Sequence, residues 1–235
     1  MPAFMVMVLE READARARAS AEIQALLDAH AAYEQKLRAA AVYLDGERLR
    51  PAAEARRVSR AGGQLRVDAG PAADQVVSAY YVVEAPGLAA AVALAEACPL
   101  ADGAELDVRP VAKSWLQPDK THQQGRVFAF AVSASARSEP AWIDAMDQID
   151  DSTRGGFPPD RFRGGARLAE PSRGRRVTSA GGRRADFDGP FLESKEVIGG
   201  FFFLRMASVD EAVEWASHSA FVRHGAVEIR ELWRS

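Results

Sequence analysis

A histidine in an apolar helical pattern is the first residue of this sequence that could do chemistry. His30 recurs in phase with Ile23, Leu26 and Leu27, at the spacing that places residues on one face of an α-helix. A neutral imidazole on such a face can act as a general acid or base, or hydrogen-bond a ligand, near pH 7. The alternative is a buried histidine that only packs. Tyr33, on the same predicted helix, is assigned to ligand binding.

A second set of candidates begins at the turn formed by Asp188, Gly189 and Pro190. An aspartate before Gly-Pro often bonds its own downstream backbone, which would make Asp188 structural; the alternative presents its carboxylate to a pocket. Glu193 and Lys195 follow, either in a solvated loop or as a charged rim on which Lys195 binds an anionic group. We predict that Asp188 is a catalytic residue in addition to His30, and that Glu193 and Lys195 bind the ligand.

Composition and missing motifs exclude several kinds of site. The net charge of −3 gives no overall attraction to nucleic acid or to an anionic membrane. Cys98 is the only cysteine, so neither an intramolecular disulfide nor a cysteine-based zinc site can form. His218 and His224 have only Glu228 as an acidic neighbour, and we expect no metal there. Phosphate-binding, dinucleotide-binding and nucleophile-elbow motifs are absent, so we predict no cofactor and no nucleic-acid partner.

The sequence also predicts a cytoplasmic protein. The first apolar run ends by Leu9, which is too short for a signal segment and is typical of a buried strand. No run approaches the ~20 apolar residues that a membrane-spanning helix needs, so we expect no membrane contact. A single cysteine is consistent with a reducing compartment.

Repeated blocks of sequence indicate a tandem duplication. The block Gly46–Val58, GERLRPAAEARRV, matches GARLAEPSRGRRV at Gly165–Val177, 119 residues later. The block that starts at Ala79 matches the one that starts at Gly200, now 121 residues later. Because the matched blocks keep their order, we predict two copies of one domain: copy one at residues 1–112, a linker at 113–125 and copy two at 126–235.

Each copy shows the pattern strand, helix, hairpin, strand, helix, strand. In copy one the hairpin turns at Gly62-Gly63, and the strand Tyr80–Val83 is so apolar that we expect it to be buried on both faces. In copy two, Ser208 followed by Glu211 predicts a capped second helix. The order predicts an α+β fold class of two tandem ferredoxin-like (βαββαβ-type) domains that form an intramolecular pseudo-dimer, a dimeric α+β barrel. The chain would be a monomer by this internal pseudo-dimer, or a homodimer of such chains.

Several runs in both copies resemble one known family. DGPFLESKEVIGGFFF, which begins at Asp188, resembles the signature of the YCII-related DGPF proteins, and AHAAYEQKL at Ala29–Leu37 resembles that family's first helix with its histidine. The GERL block, the EAVEWA helix and the closing HGAVEIREL extend the match. The resemblance implies a ferredoxin-like fold that dimerises as an α+β barrel, and an enzyme or small-molecule binder with a site centred on a histidine and an aspartate.

The two copies depart from the family pattern in different ways. Copy one keeps His30 but has Asp68-Ala69-Gly70-Pro71-Ala72 in place of DGPF, whereas copy two keeps DGPF but has Met146 where the histidine is expected. The family's aspartate falls near Cys98 and Ser219, and neither is acidic.

This asymmetry predicts that the copies do different work. We expect one working cleft, between the first helix and the sheet of copy one, with copy two as scaffold. In a variant of this hypothesis Asp188 meets His30 in a composite site. The predicted function is to bind and transform a small metabolite with His30 as acid or base. The alternative is a non-catalytic module that senses a ligand or binds a partner in regulation.

Overall fold

The computed structural model describes residues 1–71, 73–116, 125–135, 157, 160–180, 183–188 and 196–233, and these form a mixed α+β fold. Copy one contributes strands and helices in the order β1 (Ala3–Arg11), α1 (Glu12–Ala17), α2 (Ser20–Ala39), β2 (Tyr43–Leu49), β3 (Arg56–Ala61), β4 (Gln64–Ala69), β5 (Gln75–Glu84), α3 (Leu88–Ala95) and β6 (Glu105–Ser114). Copy two contributes β7 (Val127–Ser135), β8 (Phe162–Leu168), β9 (Arg175–Ala180), β10 (Arg183–Asp188), β11 (Glu196–Arg205), α4 (Val209–His218), α5 (Phe221–His224) and β12 (Ala226–Trp233). The predicted first helix of copy two, with Met146, and the segment 189–195 lie outside the described residues.

The chain divides into two compact units that do not coincide with the two copies. Unit 1 consists of Met1–Arg48, Ala73–Val111 and Pro171–Pro190; unit 2 consists of Leu49–Ala72, Ala112–Glu170 and Phe191–Ser235. Each unit therefore takes most of its residues from one copy and a β-hairpin from the other.

The strand pairing shows how the hairpins are exchanged. The sheet of unit 1 has the order β2-β5-β1-β6-β9-β10, with every neighbouring pair antiparallel. The sheet of unit 2 has the equivalent order β8-β11-β7-β12-β3-β4. In both sheets, the last strand of one copy pairs with the hairpin of the other copy.

Two valines anchor the exchanged hairpins. Val177 pairs with Leu106 and lies in the core of unit 1, while Val58 pairs with Val227 and lies in the core of unit 2. Both side chains are fully buried. Removing either hairpin would take a core residue as well as two strands from the unit that receives it.

The sequence-based element order was wrong at one strand in each copy. It predicted that the hairpin is the next element after the first helix along the chain. In the structure another strand comes before the hairpin: β2 in copy one and β8 in copy two. Gly46 and the charged pair Glu47 and Arg48 hide β2, because they break the apolar alternation by which strands are recognised. The glycine is required there, since a Cβ on Gly46 would lie 2.8 Å from Cδ1 of Tyr81.

The other predicted elements that lie within the described residues are confirmed, apart from one helix face. The residues Tyr80–Val83 and Phe201–Leu204 are all buried, as expected for strands covered on both faces. In α2, however, Ile23 is 41% exposed. Ile23 has the right angular phase, but it lies in the first turns of the helix, ahead of the buried stretch that begins at His30.

The predicted cap of α4 is confirmed with one difference. The Ser208 hydroxyl accepts from the Glu211 N–H at 3.1 Å, while the Glu211 carboxylate accepts from the Ala207 N–H rather than from that of Ser208. Among the described helices, none combines the length and the apolar content that crossing a membrane would need.

Candidate functional site

The helix α2 presents one narrow buried stripe to the core of unit 1. Its buried residues are His30, Tyr33 and Leu37, spaced three and four residues apart, so they lie on one face. At the start of the helix, the Glu22 carboxylate accepts from the Ala19 N–H at 3.1 Å and satisfies an otherwise unpaired terminal donor. The sequence therefore places a histidine where most helices carry an aliphatic residue.

Tyr81 of β5 is the hydrogen-bond partner of that histidine. The distance from His30 Nδ1 to the Tyr81 hydroxyl oxygen is 2.8 Å, and the two rings are nearly parallel, at 15°, with centroids 6.0 Å apart. Alternation along β5 directs Ala79, Tyr81 and Val83 into the core cluster that also contains Tyr33 and Leu37. The strand thus brings a phenol to the one polar side chain on the buried stripe of the helix.

Tyr33 holds this pair in place. Its ring meets the Tyr81 ring edge-on, at 88° with centroids 5.1 Å apart, which is a favourable aromatic geometry. The Tyr33 hydroxyl donates to the Leu94 carbonyl at 3.1 Å, near the end of α3. Tyr33 therefore links α2 to α3 and packs against Tyr81, whereas its predicted contact with a ligand stays a prediction.

Burial controls the charge of the pair. The pKa of His30 is lowered from 6.5 to about 4, mainly by burial and to a smaller extent by the positive charge of Arg48. The negative charge of Glu10 opposes this shift. Burial also raises the pKa of the Tyr81 phenol above its ordinary value of 10.0. At pH 7 the contact therefore joins a neutral imidazole to a neutral phenol, and either ring can be the donor.

Charged side chains surround this neutral pair. Arg48, half-buried on β2, has a lowered guanidinium pKa because of its burial. Glu10 forms a salt bridge with Arg18, and both side chains are largely shielded from solvent, at 12% and 15% exposed. Arg48 therefore adds a positive charge to the surroundings of His30, and the charge of Glu47 in turn acts on the pKa of Arg48.

A second polar pair lies on the same sheet. The Tyr80 hydroxyl donates to the Asp45 carboxylate at 3.2 Å, and both residues are fully buried. Tyr80 and Tyr81 are neighbours in β5, so they point to opposite faces of the sheet. Unit 1 therefore contains two tyrosine hydroxyls that each meet a titratable group in its interior.

Of the remaining predicted site residues, the structure describes only the backbone of Asp188. Asp188 ends β10, where its backbone is opposite Arg175. This strand belongs to unit 1, but it is four strand positions from β5, or roughly 19 Å along the sheet at ~4.8 Å per strand. The side chain of Asp188, together with Glu193 and Lys195, lies outside what the structure describes. No cluster of three or more histidine, cysteine or acidic residues suited to a metal occurs among the described residues.

Sequence reasoning missed Tyr81 and Arg48. It used the block that contains Tyr81 only as a strand, although a tyrosine in a buried strand needs a partner for its hydroxyl. The comparison of the copies carried the stronger signal. At the 121-residue shift Tyr81 corresponds to Phe202, and the predicted counterpart of His30 is Met146, so copy two lacks both members of the pair.

An aromatic cluster occupies the equivalent place in unit 2. Phe202 stacks on Phe221 with centroids 4.9 Å apart, and Phe157 lies 4.9 Å from Phe202 and 5.7 Å from Trp215. Trp215 also meets Phe130 edge-on at 5.1 Å. In the described part of this cluster the aromatic rings carry no polar atom apart from the indole N–H groups of Trp215 and Trp115, so it has none of the acid-base chemistry of unit 1.

Comparisons with known proteins agree with the internal repeat. The profile of the YCII-related domain matches the chain twice, over residues 3–115 and 117–235. No curated protein matches. Among solved structures, a protein provisionally named a chlorite dismutase matches with a TM-score of 0.43 and 10% identity, covering 100% of this chain and 96% of that chain. A protein from Fusobacterium nucleatum subsp. nucleatum, provisionally named a monooxygenase, matches with a TM-score of 0.45 and 10% identity, covering 98% of this chain and 91% of that chain.

Proposed function

We propose that copy one of this chain binds a small anionic metabolite between its first helix and its sheet. The chain belongs to the YCII-related domain family and carries two tandem copies of the domain. In this proposal His30 is the acid or base that acts on the metabolite, Tyr81 is its hydrogen-bond partner and Arg48 attracts the anionic group. Copy two serves as scaffold.

One observation carries the proposal. The His30 imidazole lies 2.8 Å from the Tyr81 hydroxyl inside unit 1, and the sequence of copy two replaces the tyrosine by Phe202. Unlike the Tyr80–Asp45 pair, this pair contains an imidazole, a group that can exchange a proton near neutral pH. Its presence in one copy alone favours a chemical role.

The pair is suited to proton transfer through the second ring nitrogen. When Nδ1–H donates to the Tyr81 oxygen, Nε2 has a free lone pair and can accept a proton. After protonation, Nδ1–H still donates to the same oxygen, so one contact supports both charge states. Tyr81 would thereby set the ring orientation and the tautomer, which is the usual task of the partner of a catalytic histidine.

Electrostatics favour an anion as the ligand. Without one, Arg48 helps to hold the pKa of His30 at about 4, which makes the imidazole a weak base at neutral pH. An anionic group bound beside Arg48 would offset that charge, and its own negative charge near the imidazole would raise the pKa of His30 against the effect of burial. Binding would therefore activate the histidine.

The finer fold assignment is part of the same proposal. The order β2-β5-β1-β6, with α2 and α3 between successive strands, supports a ferredoxin-like domain in copy one into which the hairpin β3-β4 is inserted. We propose that the two domains form the dimeric α+β barrel within one chain, with copies at residues 1–112 and 126–235. We also retain Asp188, Glu193 and Lys195 as proposed contributors to the site, and a cytoplasmic location.

A thermal-shift screen against small carboxylates and phosphates tests this function. A bound ligand raises the melting temperature as its occupancy of the folded state rises. We expect one chemical class to stabilise the wild type, and His30→Ala and Tyr81→Phe to lose most of that shift while remaining folded. His218→Ala is the matched control, because His218 is an exposed histidine of α4 whose ring bonds the Glu214 carbonyl. Hits that survive His30→Ala unchanged would refute the His30 site.

A non-catalytic role in ligand sensing or regulatory partner binding is the second candidate. It is favoured by the burial of His30, which is only 9% exposed, and by its pKa of about 4. The two candidates separate once a stabilising compound is known. Conversion of that compound by the wild type but not by His30→Ala supports catalysis, whereas stoichiometric binding without conversion supports the sensing module.

A further inference from the structure

The hairpin that copy one gives to unit 2 ends in an unusually exposed strand. All six residues of β4 are exposed, and in the described part of the chain β4 pairs only with β3. Leu65 is 43% exposed and Val67 is 46% exposed. Proteins usually protect such an edge with charges, proline or a covering segment, because its free backbone groups can pair with another strand.

The pattern of hydrogen bonds identifies which backbone groups face outward. The two glycines of the turn both have positive φ, 58° and 80°, as in a two-residue hairpin whose flanking pair, Ala61 and Gln64, is hydrogen-bonded. At the other end of the hairpin, the Gly70 N–H donates to the Ala55 carbonyl at 3.0 Å. Bonded pairs alternate along an antiparallel ladder, so Arg66 and Asp68 direct their N–H and C=O groups to β3. The corresponding groups of Leu65, Val67 and Ala69 point away from β3.

We propose that β4 pairs antiparallel with β4 of a second copy of this chain, about a two-fold axis at Val67. In this register Val67 is opposite Val67 of the other copy, and Leu65 is opposite Ala69, so outward-facing groups meet outward-facing groups. Arg66 is opposite Asp68 of the other copy, and the symmetry forms this ion pair twice.

The charge pattern selects this register over its neighbours. A two-fold axis at Arg66 would place two arginines opposite each other, and one at Asp68 would place two aspartates opposite each other. Like charges directly opposite are destabilising. Of the three registers, only the one centred on Val67 pairs every charge with its opposite.

The apolar side chains also fit this arrangement. Val67 is opposite the buried Val58 of β3, so Leu65 and Val67 extend the core-facing side of the sheet to its edge. In the dimer these two residues and their symmetry mates form one continuous apolar strip. The equivalent strand β10 has Arg184 and Asp186 at these positions, and its symmetric register would place two aspartates together. We therefore assign the contact to β4 and not to β10.

The small size of this edge sets the expected strength. Six residues a side bury much less than the ~800 Å² per partner of a standard stable interface, so the dimer should be weak and dependent on concentration. It does not depend on the proposed ligand, and its failure would leave the His30 site untouched.

Sedimentation velocity of the full chain over a concentration series tests the proposal. We expect a reversible monomer–dimer equilibrium for the wild type. Val67→Lys should abolish the dimer, and Arg66→Asp or Asp68→Arg alone should weaken it at least tenfold. The double variant Arg66→Asp with Asp68→Arg should restore it, because exchanging the two charges keeps opposite charges paired. Arg184→Asp in β10 is the matched control and should leave the equilibrium unchanged.

Three outcomes would overturn the proposal. A wild type that is monomeric at every concentration has no such contact. A dimer that persists in Val67→Lys uses another surface. A double variant as weak as the single variants excludes the register centred on Val67. Circular dichroism of each variant ensures that the comparison is between folded chains, and exposed positions such as these tolerate substitution well.

Discussion

Unit 1 and unit 2 are built on the same strand order but differ in the chemistry of equivalent positions. Three tyrosines of unit 1 correspond to three phenylalanines of unit 2: Tyr43 to Phe162, Tyr80 to Phe201 and Tyr81 to Phe202. The acceptor Asp45 of Tyr80 likewise corresponds to Gly164. For Tyr80 the sequence of copy two lacks both the hydroxyl and its carboxylate partner, and for Tyr81 it lacks the hydroxyl and has Met146 as the predicted counterpart of His30. A buried hydroxyl without a partner costs stability. The pairs, rather than single residues, are the elements that distinguish the two units.

The largest expected effect comes from opening the aromatic cluster of unit 2. Phe202→Ala removes a side chain that contacts Phe157, Phe221 and Trp115, and should lower the free energy of unfolding by about 3–5 kcal/mol. Urea denaturation measures the loss. Ile23→Ala, at an exposed helix position, is the control and should change the free energy by less than ~0.5 kcal/mol. A loss for Phe202→Ala no larger than that of the control would show that the cluster does not hold unit 2 together.

Acid should act on unit 1 through His30. Its pKa is about 4 in the folded state, against the ordinary histidine value of 6.5 in the unfolded chain, so the unfolded chain binds more protons between these values. Stability is therefore complete above pH 6.5, falls as the pH drops towards 4 and then levels off, with a total loss of roughly 3 kcal/mol from this group.

The variant His30→Gln isolates that contribution from the carboxylates that titrate in the same range. The difference in unfolding free energy between the wild type and His30→Gln should change with pH between 4 and 6.5 and be constant above 6.5. A difference that is flat across the whole range would mean that the histidine is freely solvated.

Introducing a hydroxyl into unit 2 tests the comparison in the other direction. Phe202→Tyr gives the aromatic cluster the residue that unit 1 has, but without the histidine. If the hydroxyl finds no partner, stability should fall by about 1–3 kcal/mol. Thermal melting of the variant and the wild type shows whether stability falls or rises. An unchanged or raised melting temperature would indicate that the new hydroxyl finds a polar partner in unit 2, against the comparison of the two units.

The smallest expected effect is the energy of the His30–Tyr81 contact itself. A double-mutant cycle with Tyr81→Phe and His30→Leu should give a coupling energy of about 1 kcal/mol, the usual net value of a hydrogen bond. Chemical denaturation of the four proteins supplies the numbers. Additive effects of the two substitutions on the free energy of unfolding would show that the contact does not stabilise the fold, and would leave a functional role as its explanation.

Local sequence patterns predicted most of the described elements and the buried helix position of His30. The strand around Tyr80, the cap at Ser208 and the hairpin at Gly62-Gly63 each depend on a few adjacent residues, and all three are confirmed. His30 was placed on a buried helix face for the same reason.

Features that depend on distant partners were not predicted. The strand β2 has few apolar residues and is stabilised by its pairing with β5, so periodicity alone does not reveal it. The exchange of hairpins could not be predicted because the apolar pattern of β3 is compatible with pairing in either sheet. Tyr81 was missed because its role follows from a contact with His30, 51 residues away.

The exchanged hairpins also determine when the protein can finish folding during its synthesis. Unit 1 needs β9 and β10, which leave the ribosome only after the whole of copy one and most of copy two have been made. Until then β6 has an unpaired edge, a surface that promotes aggregation in nascent chains. Copy one therefore cannot complete its own sheet as an independent domain, and the long sequence separation between β6 and β9 should make folding slow. A gene cut between the two copies would yield halves that must find each other before either sheet is whole.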